Sequence, residues 1–272
     1  NGVVVNVNHI GTVDLEALQA VLSPEVTSVS VMAVNNETGA ITDMAAVSKM
    51  VRRYAPQAML HTDAVQAACW IDLRTIWPLV DTMALSAHKF GGPKGVGILV
   101  VREGKYFEPT VLGGGQERDR RSGTHNVGGI VAAAEALRIT DVERGNEVAR
   151  ISALRDKLFA GLLAIDGAHR TIPAEHSVPG IVHLCLQGIE SESLLYLLDE
   201  VDVCASAASA CASGAMEPSH VLAAMGLSSD LTMGALRLSL GHTTTENDID
   251  RAIEAITDAV TRIRAIQNRR SL

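Results

Sequence analysis

The stretch ALSAHKFGGPKGVG, Ala84–Gly97, sets an apolar run against Ser86, His88 and Lys89 and then breaks into glycines and a proline. A lysine held between a strand end and a stiff turn, with an imidazole beside it, is placed for amine chemistry. Two other polar clusters end apolar runs in the same way. One is VNNETG, with Asn35, Asn36 and Glu37, and the other is HTDAVQ, with His61, Asp63 and Gln66. Asn, Asp and Ser favour turns, so each cluster taken alone reads as turn chemistry. Three such clusters together describe a polar site, because ligands of open α/β sheets sit beyond the carboxyl ends of the strands.

A lysine and a carboxylate from neighbouring strand ends are suited to holding pyridoxal phosphate. The lysine forms a Schiff base with the aldehyde, and the carboxylate keeps the pyridine nitrogen protonated so that the ring accepts electrons. Lys89 and Asp63 are the pair for this, and the interval between them accommodates one crossover between parallel strands. Ser86 and His88 are candidates to face the phosphate; the alternative for His88 is a turn histidine. Lys94 lies inside the Gly-Pro turn and reads as solvated.

Three further segments carry usable groups. Gly113–Asn126, GGGQERDRRSGTHN, combines glycines, arginines and a Ser-Gly-Thr turn that can bind an anion through backbone N–H groups, or form a basic surface loop. Cys204–His220, CASAASACASGAMEPSH, opens with small residues around Cys211. A thiol in such a loop is either reactive or an inert part of a buried turn. In ALRLSLG, Ala235–Gly241, Arg237 sits among apolar residues and requires an anionic partner, a substrate carboxylate or a structural one.

The elements that must position these groups follow from hydrophobic patterning. Nearly continuous β-branched runs at Val3–Val7, Val29–Val34, Met59–His61, Thr82–Leu85 and Gly97–Val101 predict strands covered on both faces. Helical patterns lie between them, at DLEALQAVL after Thr12 and at MAAVSKMVRRYA after Asp43, a suitable N-cap. This alternation predicts an α/β fold with a mostly parallel sheet. From residue 128 to 165 the pattern becomes one or two long helices. A strand at Gly180–Leu186, the helix SESLLYLLDE and a last helix follow; the last helix places Ile249, Ile253, Ile256, Val260 and Ile263 on one face, with Thr245 and Asp248 at capping-box spacing. The division expected is a large domain over 1–145 and a smaller α+β domain over 146–272.

The 272 residues suffice for a core, which an aromatic content of only 3% leaves to Ala, Val, Ile and Leu. A net charge of −8 argues against nucleic-acid binding as the main function. The cysteines, Cys69, Cys185, Cys204 and Cys211, form no C-x-x-C pair, so no zinc site is expected. No apolar run is long enough for a membrane span. Reduced thiols in a cytoplasmic protein are the expectation.

Taken together, VNNETG, HTDAVQ, SAHKFGGPKGVG, RSGT, SACASGAMEPSHVL and LRLSLG resemble the cysteine desulfurases, pyridoxal-phosphate enzymes of fold type I in the aminotransferase class V group. The pieces come in the family's order across nearly the whole chain. SACASG followed by EPSHVL is the most specific of them and resembles the members of iron-sulfur cluster biosynthesis. The resemblance implies that Lys89 is the Schiff-base lysine and Asp63 the pyridinium partner. It implies that Asn36 and Gln66 lie near the ring hydroxyl, with Asn36 also near substrate, and that Ser86 and His88 contact phosphate. Thr124 would reach the phosphate of a second subunit in a homodimer. Arg237 would hold the substrate carboxylate and Cys211 would carry the persulfide, with Lys89 and His88 in the catalytic machinery. The activity implied is removal of sulfur from L-cysteine, giving L-alanine and a persulfide for an acceptor protein.

The chain begins at Asn1 without methionine, and family members carry a further segment ahead of this point, with a phosphate-binding turn and a ring-stacking histidine. His9 does not match that histidine. The expectation is that a preceding segment or a second chain covers the sheet in an active form. Another class V lyase or aminotransferase, or a non-catalytic docking module, is the alternative.

Overall fold

The structure, a computed structural model, describes residues 2–207 and 219–270. In chain order the elements are α1 (Leu15–Val21), β1 (Ser28–Met32), α2 (Met44–Tyr54), β2 (Met59–Asp63), α3 (Leu73–Ile76), β3 (Thr82–Ser86), β4 (Gly97–Val101), α4 (Gln116–Asp119), α5 (Val127–Leu162), β5 (Ala168–Arg170), β6 (Ile181–Leu186), α6 (Ser191–Asp199), α7 (His220–Ala224), α8 (Ser229–Thr232), β7 (Ala235–Ser239) and α9 (Glu246–Arg270). The fold is α/β, as the alternating pattern predicts.

The chain divides into two compact units. One gathers Leu22–Ala33 and Met44–Arg144; the other gathers Asn1–Val21, Val34–Asp43 and Gly145–Leu272. The VNNETG turn therefore groups with the C-terminal residues, unlike the 1–145 division. Its hydrogen bonds account for this, since Ala40 bridges Ser177 and Glu37 bonds Ser219. Helix α5 runs through the division at Arg144 and Gly145.

The first unit is built on a sheet of order β1-β2-β3-β4. β1, β2 and β3 run parallel, and β4 returns antiparallel to β3 after the Gly-Pro turn. Helix α2 turns Met44, Val47 and Val51 inward, and the Thr62 hydroxyl donates to the Val31 carbonyl at 2.9 Å. Burying each such aliphatic side chain contributes about 1.5–3 kcal/mol. Just before β3, the Asp81 carboxylate is buried and accepts from the Leu60 N–H at 2.8 Å and from Arg52 at 2.8 Å, with Lys105 at 3.3 Å. Burial alone would raise its pKa, but the Leu60 N–H and the two cations together hold it below the ordinary value.

The second unit carries an antiparallel sheet of order β5-β6-β7. All six residues of β6 are buried, between β5 and β7 in the sheet and under the helices. Ile249, Ile256, Val260 and Ile263 form the buried stripe of α9, and α6 packs against that helix with Leu194 and Leu198 buried. The capping box at its start is present: the Thr245 N–H and hydroxyl both donate to Asp248 Oδ2, at 2.9 and 2.8 Å, and the Asp248 N–H returns to Thr245 Oγ1 at 3.3 Å.

One strand expectation fails. Among the described residues Val3–Val7 joins neither sheet and makes a single bridge, Val7 to Val13, with Val4 95% exposed. The following turn absorbs the local hydrogen bonding: Asn8 Oδ1 accepts from the N–H groups of Ile10 and Thr12. A valine run without a neighbouring edge has β propensity but nothing to pair with.

Candidate active site

In the first unit, the lysine turn is a short 3-10 segment, Ala87–Phe90, at the end of β3. Ala87 and Phe90 are buried and seat the turn, whereas His88 and Lys89 are exposed. Gly91 follows with φ 81°, a left-handed conformation that glycine adopts without strain, and Gly92 N–H closes the turn on the Ala87 carbonyl at 2.8 Å. Two side chains then fasten the backbone. Cys69 Sγ donates to the Lys89 carbonyl at 3.3 Å, and Thr140 Oγ1 donates to the Phe90 carbonyl at 3.2 Å. The main chain of Lys89 is thus held while its amine projects outward, and among the described residues that amine makes no ion pair. Ser86 Oγ and His88 Nδ1 lie 2.9 Å apart. Lys94 is exposed in the turn to β4.

Asp63 is the last residue of β2 and pairs in register with Ala84 of β3. In-register neighbours share a face, and Ala84 and Ser86 alternate onto that same face, so the carboxylate and the hydroxyl emerge on one side at one end of the sheet. Asp63 Oδ1 accepts from the Val65 N–H at 2.9 Å. His61, two residues earlier, is lowered in pKa by burial against the opposing pull of Asp63, and its Nδ1 lies 2.8 Å from Thr82 Oγ1. Gln66 is half-buried in the turn that follows.

Thr124 is exposed in the loop before α5. The loop is shaped from within. Ser122 Oγ donates to the Gly114 carbonyl at 2.6 Å, and Gly123 N–H donates to Gln116 Oε1 at 3.0 Å. Glu117, Arg118 and Asp119 take φ values of 52°, 58° and 62°, so α4 is a left-handed turn made by residues that seldom adopt one.

In the second unit, Asn35 Oδ1 gathers the N–H groups of Glu37 and Thr38, both at 2.9 Å, and shapes the VNNETG turn. The Asn36 carbonyl accepts from Arg237 Nη1 at 3.1 Å. Arg237 is half-buried on β7. Among the described residues no carboxylate pairs with it. Cys211 lies outside the described residues.

Patterning missed several groups. Cys69 and Thr140 sit 20 and 50 positions from the carbonyls they hold, with no local signal for either contact. Glu37 and Ser219 are both buried and bonded to one another, although they read only as turn and helix-start residues. Cys204 is exposed and lines a cleft with Asp202, Thr243 and Arg251. Among the described residues no cluster of His, Cys, Asp and Glu is placed to hold a metal, and no helix is long and apolar enough to cross a membrane.

An outward amine on a fastened turn and a carboxylate at the end of the neighbouring parallel strand thus share one end of the first unit's sheet with the Ser86–His88 pair. The aminotransferase class V family profile matches residues 2–252, and the chain belongs to that family. A protein named cysteine desulfurase from Cereibacter sphaeroides is 40% identical over 94% of this chain and 65% of its own length. Another of that name from a Nostoc species is 39% identical over 96% of this chain and 65% of its own length. The chain thus spans about 65% of the length of these curated relatives. Among solved structures, a NifS-like protein superposes with a TM-score of 0.86 at 37% identity, covering 94% of this chain and 67% of the other.

Proposed function

We propose that the chain carries the machinery of a pyridoxal-phosphate-dependent cysteine desulfurase, which takes sulfur from L-cysteine and leaves L-alanine and a persulfide on Cys211. The observation that carries this reading is the fastened Lys89 turn at the end of β3, one parallel strand from Asp63 at the end of β2. The relatives named cysteine desulfurase support it.

The residues present fit the cofactor. Lys89 would hold its aldehyde carbon and Asp63 its ring nitrogen; Ser86 and His88 would meet its phosphate, and Asn36 and Gln66 its ring hydroxyl. When bound, the cofactor supplies an electron sink for charge developing at the substrate Cα. The protein supplies the rest. Lys89, once its amine is released, takes and returns the Cα proton as a general base. Asp63 would hold the proton on the ring nitrogen it faces. Arg237, without a protein carboxylate among the described residues, binds the substrate carboxylate. The Cys211 thiolate bonds to the substrate sulfur as the Cβ–S bond breaks, and Cβ gains a proton to complete L-alanine.

Thr124, exposed in its loop, would reach the phosphate of a second copy in a homodimer. Exposed Tyr106 and Leu112, at 70% and 81%, belong to the kind of apolar surface a second copy covers. The persulfide passes to an acceptor protein in the cytoplasm, where free thiols such as Cys69 and Cys185 persist.

The test is incubation with L-cysteine, with amino-acid analysis and mass spectrometry of Cys211. One alanine formed per sulfur transferred, and 32 mass units (about one sulfur atom) gained on Cys211, are expected; Cys211→Ser should release no alanine. A keto acid as product would assign a different class V reaction, and no product with any amino acid would leave a docking module.

A further inference from the structure

We propose that His183 is a positioning residue for Arg237. In this inference Thr171, His183, Arg237 and Ser206 form one row across the second unit's sheet that sets the guanidinium for a carboxylate ligand. It rests on the reading that Arg237 takes the substrate carboxylate.

The row follows from register. His183 of β6 faces Arg237 of β7, and Arg237 in turn faces Ser206. The Arg237 N–H donates to the Ser206 carbonyl at 2.8 Å and the Arg237 carbonyl accepts from the Ser206 N–H at 3.1 Å, so the main-chain groups of Arg237 point away from β6. His183 and Arg237 are therefore a non-hydrogen-bonded antiparallel pair, the arrangement that brings facing side chains closest. On its other side the His183 carbonyl accepts from Thr171 N–H at 3.3 Å, and Thr171 Oγ1 lies 2.6 Å from His183 Nδ1.

The polar atoms of this row are unusually incomplete. Buried side-chain polar atoms are nearly always hydrogen-bonded. Here His183 Nε2 and Ser206 Oγ, one on each side of Arg237, are both buried without a partner among the described residues. His183 is only 2% exposed, so no ligand reaches its ring directly and any influence passes through Arg237. Burial, reinforced by the positive charge of Arg237, pushes the imidazole pKa down to about 3. The ring is neutral and does not repel its neighbour. Beside a cation the favoured tautomer keeps the proton on Nδ1, donated to Thr171 Oγ1, and turns the Nε2 lone pair towards the charge. Thr171 fixes the ring, the ring steadies the guanidinium, and no protein carboxylate among the described residues neutralises it.

The test reads Arg237 directly. Phenylglyoxal labelling of Arg237 is followed by mass spectrometry against rising L-alanine, which carries the carboxylate but no sulfur, with ethylamine as control. L-Alanine should protect Arg237 and ethylamine should not. In His183→Leu the protecting concentration should rise about tenfold, which is about 1.4 kcal/mol. His183→Gln, which restores a neutral polar atom near Nε2, should fall within about twofold of the parent, and Thr171→Val should move in the direction of His183→Leu. KM for L-cysteine should rise in step with the protection midpoint, and kcat should change by less. Unchanged protection in His183→Leu overturns the proposal, and alanine release from L-cysteine then leaves the proposed function standing. If His183→Leu fails to fold, parent-like protection in Thr171→Val overturns it instead. Absence of L-alanine protection in the parent overturns the carboxylate role of Arg237 and this proposal with it.

Discussion

Ser219 Oγ donates its proton to Glu37 Oε2, joining a buried hydroxyl at the start of α7 to a buried carboxylate in the VNNETG turn, 182 positions apart. The same Ser219 oxygen caps α7 by accepting from Leu222 N–H at 3.3 Å. One atom thus closes a helix end and fixes the residue that follows, in sequence, the segment containing Cys211. Ser219→Ala removes the cap and strands the carboxylate, and should cost about 1–3 kcal/mol. Chemical denaturation checks this, and a variant within 0.5 kcal/mol of the parent (about the ordinary surface range) would show the contact to be dispensable.

Lys89 and Lys94 are separable by chemistry. Borohydride treatment of the cofactor-loaded protein should attach the cofactor's mass to Lys89, and Lys89→Ala should abolish alanine formation. Peptide mapping decides the point: a label on Lys94 would reassign the amine.

The thiols should label in a fixed order. Cys204 is exposed, burial raises the Cys69 thiol, and burial pushes Cys185 up to about 11. Among these three, iodoacetamide at neutral pH should modify Cys204 first and Cys185 last, since only the thiolate reacts. Peptide mass spectrometry over time reads the order, and early labelling of Cys185 would contradict its burial.

Gly234 approaches the backbone of β6 so closely that a β-carbon would overlap the Leu186 carbonyl oxygen, and the Ile189 carbonyl would be 3.0 Å away. Backbone cannot step aside as a side-chain tip can. Gly234→Ala should therefore destabilise the second unit by about 2–4 kcal/mol through overpacking. Thermal unfolding of the variant with a parent-like midpoint would refute the contact.

Acid sensitivity should arise from His183 and Asp81, with the buried His61 adding in the same direction. His183 has its folded pKa lowered from 6.5 to about 3, so the folded state binds fewer protons than the unfolded one across that interval. Its contribution is complete above 6.5 and is lost as pH falls towards 3. Asp81 is also lowered in the folded state, and its contribution is lost as pH falls below the ordinary carboxylate range through the lowered folded pKa. Urea unfolding at a series of pH values should show stability falling from neutrality downwards. The slope above pH 4 (roughly the range above the Asp81 transition) should flatten in His183→Gln, and a parent-like slope in that variant would refute the assignment.

The sheet, the long helix and the last helix were legible because their signals are local. Continuous β-branched runs, period-3.6 patterning and the Thr245–Asp248 capping box can each be read within a few residues. The lysine turn was legible for the same reason, with its polar residues and glycines adjacent. Contacts that depend on sequence-distant partners were not. Cys69 holds Lys89 from 20 positions away, and His183 is an unremarked residue of a strand until register sets it against Arg237. Val3–Val7 shows the reverse failure: its local signal for a strand is strong, yet among the described residues it makes one isolated bridge, Val7 to Val13, and enters neither sheet.

The two hydrogen bonds on the carbonyls of Lys89 and Phe90 also bear on how an amine searches for its target. With the two successive carbonyls that follow the side chain fastened, the ammonium group moves mainly through its own four-carbon stem, and its excursions trace a small cap of space in place of a loop's wide volume. Confining a reactant in this way raises its effective concentration at any point it can reach and lowers the entropy still to be lost when it reacts. Cys69 and Thr140, which touch no reacting atom, would then contribute to rate by narrowing the distribution of places where the nitrogen can be.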